Sequence, residues 1–215
     1  KGFEIFKFNN LNMNENGKPE IRRSVMVIGA GGIGSYLVSF LNRVGIYDIT
    51  VYDDDNVERK NETTQNFCEG AVGEKKVDSI LLATDDGTVT REPFPVLVEK
   101  QLQGYDLIVC CADNLGIRRL VYRQGFGADC QNKWLDLRSQ GRNGAVISYM
   151  IEEKLMTSLL AGPEGSFSCQ GENWDGSPEG INLTHIAIAG MASQWVQRWF
   201  EGGEENVADK MMVNI

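Results

Sequence analysis

No run in the 215-residue chain reaches the roughly 18 consecutive apolar residues that a membrane-spanning helix needs, so the sequence offers no such span. The first residues, Lys1-Gly2-Phe3-Glu4, hold no apolar signal core or cleavage site, and with no initiator Met the start of translation is expected upstream. Cysteine is sparse: Cys68, Cys110, Cys111, Cys130 and Cys169 are odd in number, and no Cys-x-x-Cys offers a zinc site. Reduced thiols in a cytoplasmic setting are the expectation. The single histidine, His185, precedes an apolar helical run and reads as a helix-start or packing residue, which leaves no Ser/His/Asp triad. Positive charge is scarce as well. Twenty-one Lys and Arg against 30 Asp and Glu give a net charge of −9, with no basic cluster longer than two. A nucleic-acid backbone needs a positive footprint, so that partner is disfavoured. A nucleotide ligand needs only local cations and backbone amides, and stays open.

What is present is an alternation of strands and helices. The length fits one domain over 1–215, with a polar, turn-rich lead-in over 1–21 and a long glycine-rich loop over 161–180. The apolar run Ser24–Ile28 enters the turn Gly29-Ala30-Gly31-Gly32-Ile33-Gly34. After it, Leu37, Phe40, Leu41 and Val44 share one helical face, Gly45 ends the helix, and Asp48–Tyr52 reads as a second strand. That is a βαβ unit. Further on, Val77–Ala83 reads as helix, and Thr88–Val96 as an edge strand held there by Pro93 and Pro95. A short helix closes at Gln101–Gln103, Asp106–Cys111 is a buried-type strand, Ile117–Arg123 a helix and Lys133–Leu137 a strand. Gly144–Ile151 and Leu155–Leu160 read as an antiparallel pair of strands. His185–Phe200 is a long amphipathic helix whose Ile186, Ala189, Met191, Trp195 and Phe200 suit a core or a dimer interface, and Lys210–Asn214 is a last strand. The pattern predicts an α/β, Rossmann-like fold with a mostly parallel sheet and an antiparallel C-terminal extension.

The glycine turn points to a phosphate. In such a turn the first glycine makes the bend, the second lets phosphate approach the backbone, and the third lets helix pack on strand, roles that fall to Gly29, Gly31 and Gly34. A helix opening near Gly32 aims free N–H groups and its positive end at the anion, worth up to about 2 kcal/mol. Asp53, at the end of the second strand, stands where a carboxylate accepts ribose hydroxyls. To this point a nicotinamide-dependent oxidoreductase fits equally well. The polar stretch Asp53–Gln65 separates the readings. Asn61 and Gln65, on one helical face, would line a triphosphate site together with Lys76. Asp113, at the C-terminal edge of an apolar strand, is placed to hold Mg²⁺ beside phosphate oxygens.

Four segments together resemble the ThiF/MoeB/HesA superfamily, relatives of the ubiquitin-activating enzymes: Gly-x-Gly-Gly-x-Gly-Ser (29–35), Asp-x-Asp-x-Val-x-x-x-Asn-x-x-x-Gln (53–65), Val-Gly-x-x-Lys (72–76) and Asp-Asn (113–114). The resemblance implies ATP- and Mg²⁺-dependent adenylation of a carboxylate, usually the C-terminus of a small ubiquitin-like or sulfur-carrier protein or a peptide, by a homodimer. It assigns Gly29, Gly31, Gly32, Gly34, Asp53 and Asp55 to nucleotide binding, Asn61, Gln65 and Lys76 to the phosphates, and Asp113 to the metal. Relatives often carry a cysteine near Cys169, some as zinc ligands and some as acyl acceptors, and a loop gives a nucleophile access. Two departures stand out. Thr64 occupies the place of a family Arg, with Arg59 and Lys60 in the same loop as candidate substitutes, and residues 1–20 lack the Arg that many members bring to the partner's site. They motivate a second reading, a nucleotide-binding module without catalysis.

Overall fold

The computed structural model describes residues 23–85, 87–123, 132–161, 169–171, 174, 177 and 180–215. The expected lead-in and most of the 161–180 loop lie outside them. Seven strands form one sheet: β1 (Arg23–Ile28), β2 (Tyr47–Tyr52), β3 (Val89–Glu92), β4 (Leu107–Cys110), β5 (Lys133–Gln140), β6 (Asn143–Ser148) and β7 (Lys210–Asn214). Their order is β3-β2-β1-β4-β5-β6-β7. Pairings from β3 through β5 are parallel, while β5–β6 and β6–β7 are antiparallel.

The helices are α1 (Gly32–Val44), α2 (Lys76–Ser79), α3 (Leu115–Arg123), α4 (Glu153–Leu159) and α5 (Thr184–Gly202). Among the described residues none is long and apolar enough to cross a membrane. Alternation along the strands builds two cores. Val25, Val27, Leu107, Val109, Leu135 and Leu137 pack with Leu37, Leu41, Ile188 and Trp195 of α1 and α5. The intervening Met26, Ile28, Ile108, Cys110 and Trp134 pack with Val121, Tyr122 and Met156 of α3 and α4. A strand covered on both faces must be apolar throughout, which is why β1 and β4 read as unbroken runs rather than alternating ones. Each large aliphatic side chain so buried contributes roughly 1.5–3 kcal/mol.

Several expected elements change identity. Leu155–Leu160 lies in α4 and its C-terminal turn instead of forming a strand; Met156 is buried, and Leu155, Leu159 and Leu160 lean on the second core, a helical spacing. The antiparallel partner of β6 is instead β5, longer than the sequence suggested and joined to it at Gly141-Arg142. The helix expected over Val77–Ala83 is a single turn, because Ile80 leaves to bridge Phe67 and the Asn42 side-chain carbonyl accepts the N–H groups of Ala83 and Thr84. The 88–96 segment pairs only over Val89–Glu92, at the sheet edge, and stops at Pro93. On α5 the buried stripe runs Thr184, His185, Ile188, Ala189, Ala192, Trp195 and Val196, so Ile186 lies off it, while Met191 and Phe200 pack at its margin.

From β1 the chain winds outward to β2 and β3, then returns to the other side of β1 as β4. Strand ends diverge at such a reversal, and the crevice between them is where open α/β sheets bind ligands.

Candidate functional site

That crevice is edged by the turn after β1. Gly29 has φ +97°, a left-handed conformation that favours glycine, and its N–H donates to the Tyr52 carbonyl at 2.8 Å. A Cβ on Gly34 would stand 1.8 Å from the Gly29 carbonyl oxygen, so α1 rests directly on the turn. A Cβ on Gly31 would meet nothing within 4 Å, and no side chain caps α1. Among the described residues the first N–H groups of that helix are thus left without a side-chain cap, the arrangement that receives an anion.

Asp53 follows β2. One carboxylate oxygen accepts the Ala30 N–H at 2.7 Å and the other the Asp55 N–H at 2.9 Å, so it ties the glycine turn to the end of β2. Each oxygen has two lone pairs and keeps one acceptor position. Burial pushes Asp53 above the usual carboxylate range, against the pull of Lys76 and of these two N–H groups. Lys76 opens α2, held there by Lys76 N–H to the Asp55 carbonyl (3.0 Å) and by Val57 N–H to the Glu74 carbonyl (2.8 Å). Its ammonium lies 2.7 Å from an Asp55 oxygen, with the Lys76 side chain only 12% exposed and Asp55 67% exposed. Burial disfavours the Lys76 ammonium, but Asp53, Asp55 and Asp113 together outweigh it and raise its pKa above the ordinary lysine value. The structure thus brings the glycine turn, Asp53, Asp55, Lys76 and Asp113 to one rim of the sheet.

Asp113 is exposed just beyond β4, and the Asn114 side chain caps α3 by accepting the Gly116 N–H at 2.7 Å. Among the described residues no group of three or more His, Cys, Asp or Glu gathers to hold a metal. Mg²⁺ is commonly held by one or two carboxylates plus phosphate oxygens and water, and the Asp113 carboxylate near the start of α1 suits that donor set.

Asn61 and Gln65 do not share a helical face. Asn61 ends a 3-10 turn, Arg59–Asn61, is buried, and accepts the Glu58 N–H at 2.8 Å. The Gln65 N–H reaches the Asn61 carbonyl at 2.9 Å, and its buried side-chain oxygen has no partner among the described residues. Thr64 is buried beside them, and Lys60 pairs with Glu58 at the surface. Cys169 is less accessible than a loop position suggested. Its sulfur would touch a Cβ on Gly32 at 3.4 Å, and burial, aided by Asp113, pushes the thiol up to about 11, so it is protonated at neutral pH. Cys110 is buried, and burial lifts its thiol to about 12. His185 is fully buried against Gln170 and Tyr36, and burial lowers its pKa.

Sequence reading missed a buried charge cluster beside this rim. Asp136, in β5, is 0% exposed and accepts from Arg138 Nε at 2.9 Å and from the Tyr122 hydroxyl. Arg118 Nη1 approaches its other oxygen at 3.4 Å. Arg118 also donates through Nε and Nη2 to the carbonyl of Ala112, next to Asp113, at 2.9 and 2.7 Å. Burial, reinforced by Asp136, raises the Tyr122 pKa well above the usual phenol. The one available signal was Asp and Arg two apart in a strand between two others, where buried charges must be paired.

Known proteins of similar fold and sequence extend this picture. Escherichia coli MccB, solved with ATP and also with MccA, overlays with TM-scores of 0.66 and 0.67 at 17% and 18% identity, covering 90% of this chain and 60% of MccB. The SAMP-activating enzyme E1 of Haloferax volcanii is 34% identical over 105 residues, 45% of this chain and 39% of that protein. The adenylyltransferase and sulfurtransferase UBA4 of Yarrowia lipolytica is 30% identical over 106 residues, 46% of this chain and 27% of UBA4. The chain thus matches well under half the length of either curated relative. The ThiF family matches residues 9–214, almost the entire sequence, and the chain belongs to that family.

Proposed function

We propose that the chain is an ATP-dependent adenylyltransferase that activates the C-terminal carboxylate of a small ubiquitin-like or sulfur-carrier protein, or of a peptide. The observation that carries this reading is the gathering of Lys76 with Asp53, Asp55 and Asp113 around the uncapped start of α1. The names of the relatives, an activating enzyme and an adenylyltransferase, support the same reaction class, and MccB has been solved with ATP.

The remaining acceptor positions of Asp53 take the ribose hydroxyls, and the N–H groups at the start of α1 take phosphate oxygens. Lys76 is held by a mostly exposed carboxylate, and such pairs contribute about 0–1 kcal/mol, so its ammonium can exchange Asp55 for a phosphate oxygen at little cost. Mg²⁺ held at Asp113 would offset phosphate charge. A carboxylate oxygen of the substrate attacks the α-phosphorus while the bond to the bridging oxygen of the β-phosphate breaks. Pyrophosphate leaves, and no proton has to move. Lys76 and the helix N–H groups stabilise charge gathering on the phosphate oxygens, catalysis that is mainly electrostatic. The reading includes a cytoplasmic homodimer.

Thr64 supports a second reading, a module that binds nucleotide without turnover, because a buried hydroxyl offers no cation to the phosphates. Exchange of radiolabelled pyrophosphate into ATP separates the two. Exchange that depends on a carboxylate partner and is lost in Lys76→Met supports adenylation. Tight ATP binding with no exchange across a panel of carrier proteins and peptides supports the inert module.

A further inference from the structure

His185, the only histidine of the chain, is 0% exposed at the head of α5. Its ring underlies the first turn of α1: a Cβ on Gly32 would lie 3.5 Å from Cδ2, and the Tyr36 ring stands 5.8 Å away, centroid to centroid. Burial lowers its pKa and keeps the ring neutral, against the Thr64 and Asn182 backbones, which favour its charged form. Gln170 decides which nitrogen carries the hydrogen. The Asn182 backbone orients that side chain, its N–H donating to Gln170 Oε1 at 2.7 Å and its carbonyl accepting from Nε2 at 2.9 Å. Gln170 therefore turns its nitrogen, not its oxygen, toward His185 Nδ1, 3.3 Å away. A second hydrogen on that amide finds an acceptor in the ring only if Nδ1 is bare, so the ring bears its hydrogen on Nε2. Among the described residues Nε2 closes no hydrogen bond of standard geometry. A backbone favours an imidazolium through its carbonyl. Asn182 belongs to the Gln170 side of the ring, which leaves the Thr64 carbonyl to Nε2.

Thr64 lies between Asn61 and Gln65, the two side chains offered to the phosphates. That segment is pinned to α1 at one point, where the Asn66 N–H donates to the Ser35 hydroxyl at 3.0 Å. His185 stands beneath both elements, and Gln170 anchors it from behind on a segment that is itself tied to the β5–β6 hairpin by the Gly141 N–H to the Cys169 carbonyl at 3.0 Å. We infer that His185 is a positioning residue: by presenting Nε2–H to the Thr64 carbonyl it holds the 61–65 segment against the first turn of α1, and so sets the gap that a triphosphate spans between them. Resting on the reading that ATP binds this rim, the role deepens it, because a side chain that touches no phosphate then governs how well the outer phosphates are held. Partners of this kind lock the groups that do the contacting. Packing alone would need only the shape of the ring; positioning needs its donor.

The test compares His185→Phe, which keeps a ring but donates nothing, with His185→Gln, whose amide N–H reaches toward the place of Nε2. Affinities for ATP and for AMP, which lacks the two outer phosphates, are measured by calorimetry on the full chain. The expected result is ATP binding weakened about tenfold or more in His185→Phe and AMP binding weakened about threefold or less, with His185→Gln within about threefold of the parent for ATP. Parental ATP affinity in His185→Phe overturns the inference, as does an equal loss for ATP and AMP, or a Gln variant as weak as the Phe variant. If His185→Phe does not fold, nitrogen-15 NMR of the parent serves, because a single histidine gives one unambiguous pair of ring signals. The proton is expected on Nε2, and its resonance should move when a non-hydrolysable ATP analogue binds. A proton on Nδ1, or a resonance that bound analogue leaves in place, overturns the inference. ATP binding and pyrophosphate exchange by the parent are scored separately, so the role of His185 can fail while the adenylation reading stands; a parent that binds no ATP overturns both.

Discussion

Along β3-β2-β1-β4 the functional charges stand beyond the strand ends, whereas in β5 they lie within the strand. Asp53, Asp55, Lys76 and Asp113 meet over a rim where Lys76 pairs with Asp55, itself 67% exposed. Asp136 is sealed from solvent and, among the described residues, compensated by Arg118, Arg138 and Tyr122. Water shares the work of stabilising charge at the first place and takes no part at the second. Exchangeable pairs suit a site that must trade a protein partner for a phosphate. Locked pairs suit the packing of a helix on a strand, where neither partner has to move.

The largest effect is expected from Asp136→Ala, which strands the buried Arg118 guanidinium and the half-buried Arg138 guanidinium and should cost about 3–5 kcal/mol in urea denaturation. Asp55→Ala should cost less than about 1 kcal/mol in the same assay. Comparable losses would erase the contrast. Gly34→Ala drives a methyl group into the Gly29 carbonyl, 1.8 Å away, and should destabilise by about 3 kcal/mol, with nucleotide binding weakened in parallel. A stable Gly34→Ala protein with unchanged ATP affinity would show that the rim does not depend on its backbone. Lys76→Met should weaken ATP binding by about 1.5–3 kcal/mol, roughly ten- to a hundredfold by calorimetry, and leave the unfolding midpoint nearly unmoved. A large loss of stability with little change in ATP affinity would move Lys76 into the structural class of Asp136.

The smallest effect concerns His185, which lies under the glycine turn against Gln170 and Tyr36. Burial lowers its folded pKa from 6.5, so the unfolded chain takes up a proton first as pH falls. Stability is fully present above pH 6.5 and declines below it toward the depressed native value, by at most about 1.4 kcal/mol per pH unit. Urea titrations at decreasing pH should show this slope, and His185→Gln should flatten it. An unchanged slope in that variant would assign the effect to other groups.

Much of the rim was legible because its residues follow one another through a βαβ unit whose geometry is fixed by strand, turn and helix. The run 106–111 contains all of β4, and Asp113 follows it after Ala112. Asn61 was readable as a candidate but not as the cap of a 3-10 turn, since that depends on where the chain bends. Leu155–Leu160 was too short a run for its period to tell strand from helix, and the second core decided for helix. The Asp136 cluster was hidden for a different reason. Its counter-charge Arg118 and its partner Tyr122 belong to α3, and only the packing of α3 against β5 joins them. Cys169 was legible as a loop residue, but its protonation follows from burial against Gly32.

One carboxylate serving two guanidiniums also constrains inheritance. A lone change at 118, 136 or 138 passes through an ancestor with an unbalanced interior, so these three positions should drift as a linked set. Substitution at Asp55 or Lys60, by contrast, can accumulate one at a time. Any repacking of α3 against β5 would then have to rewrite the whole triplet at once, which makes this part of the interior slow to change.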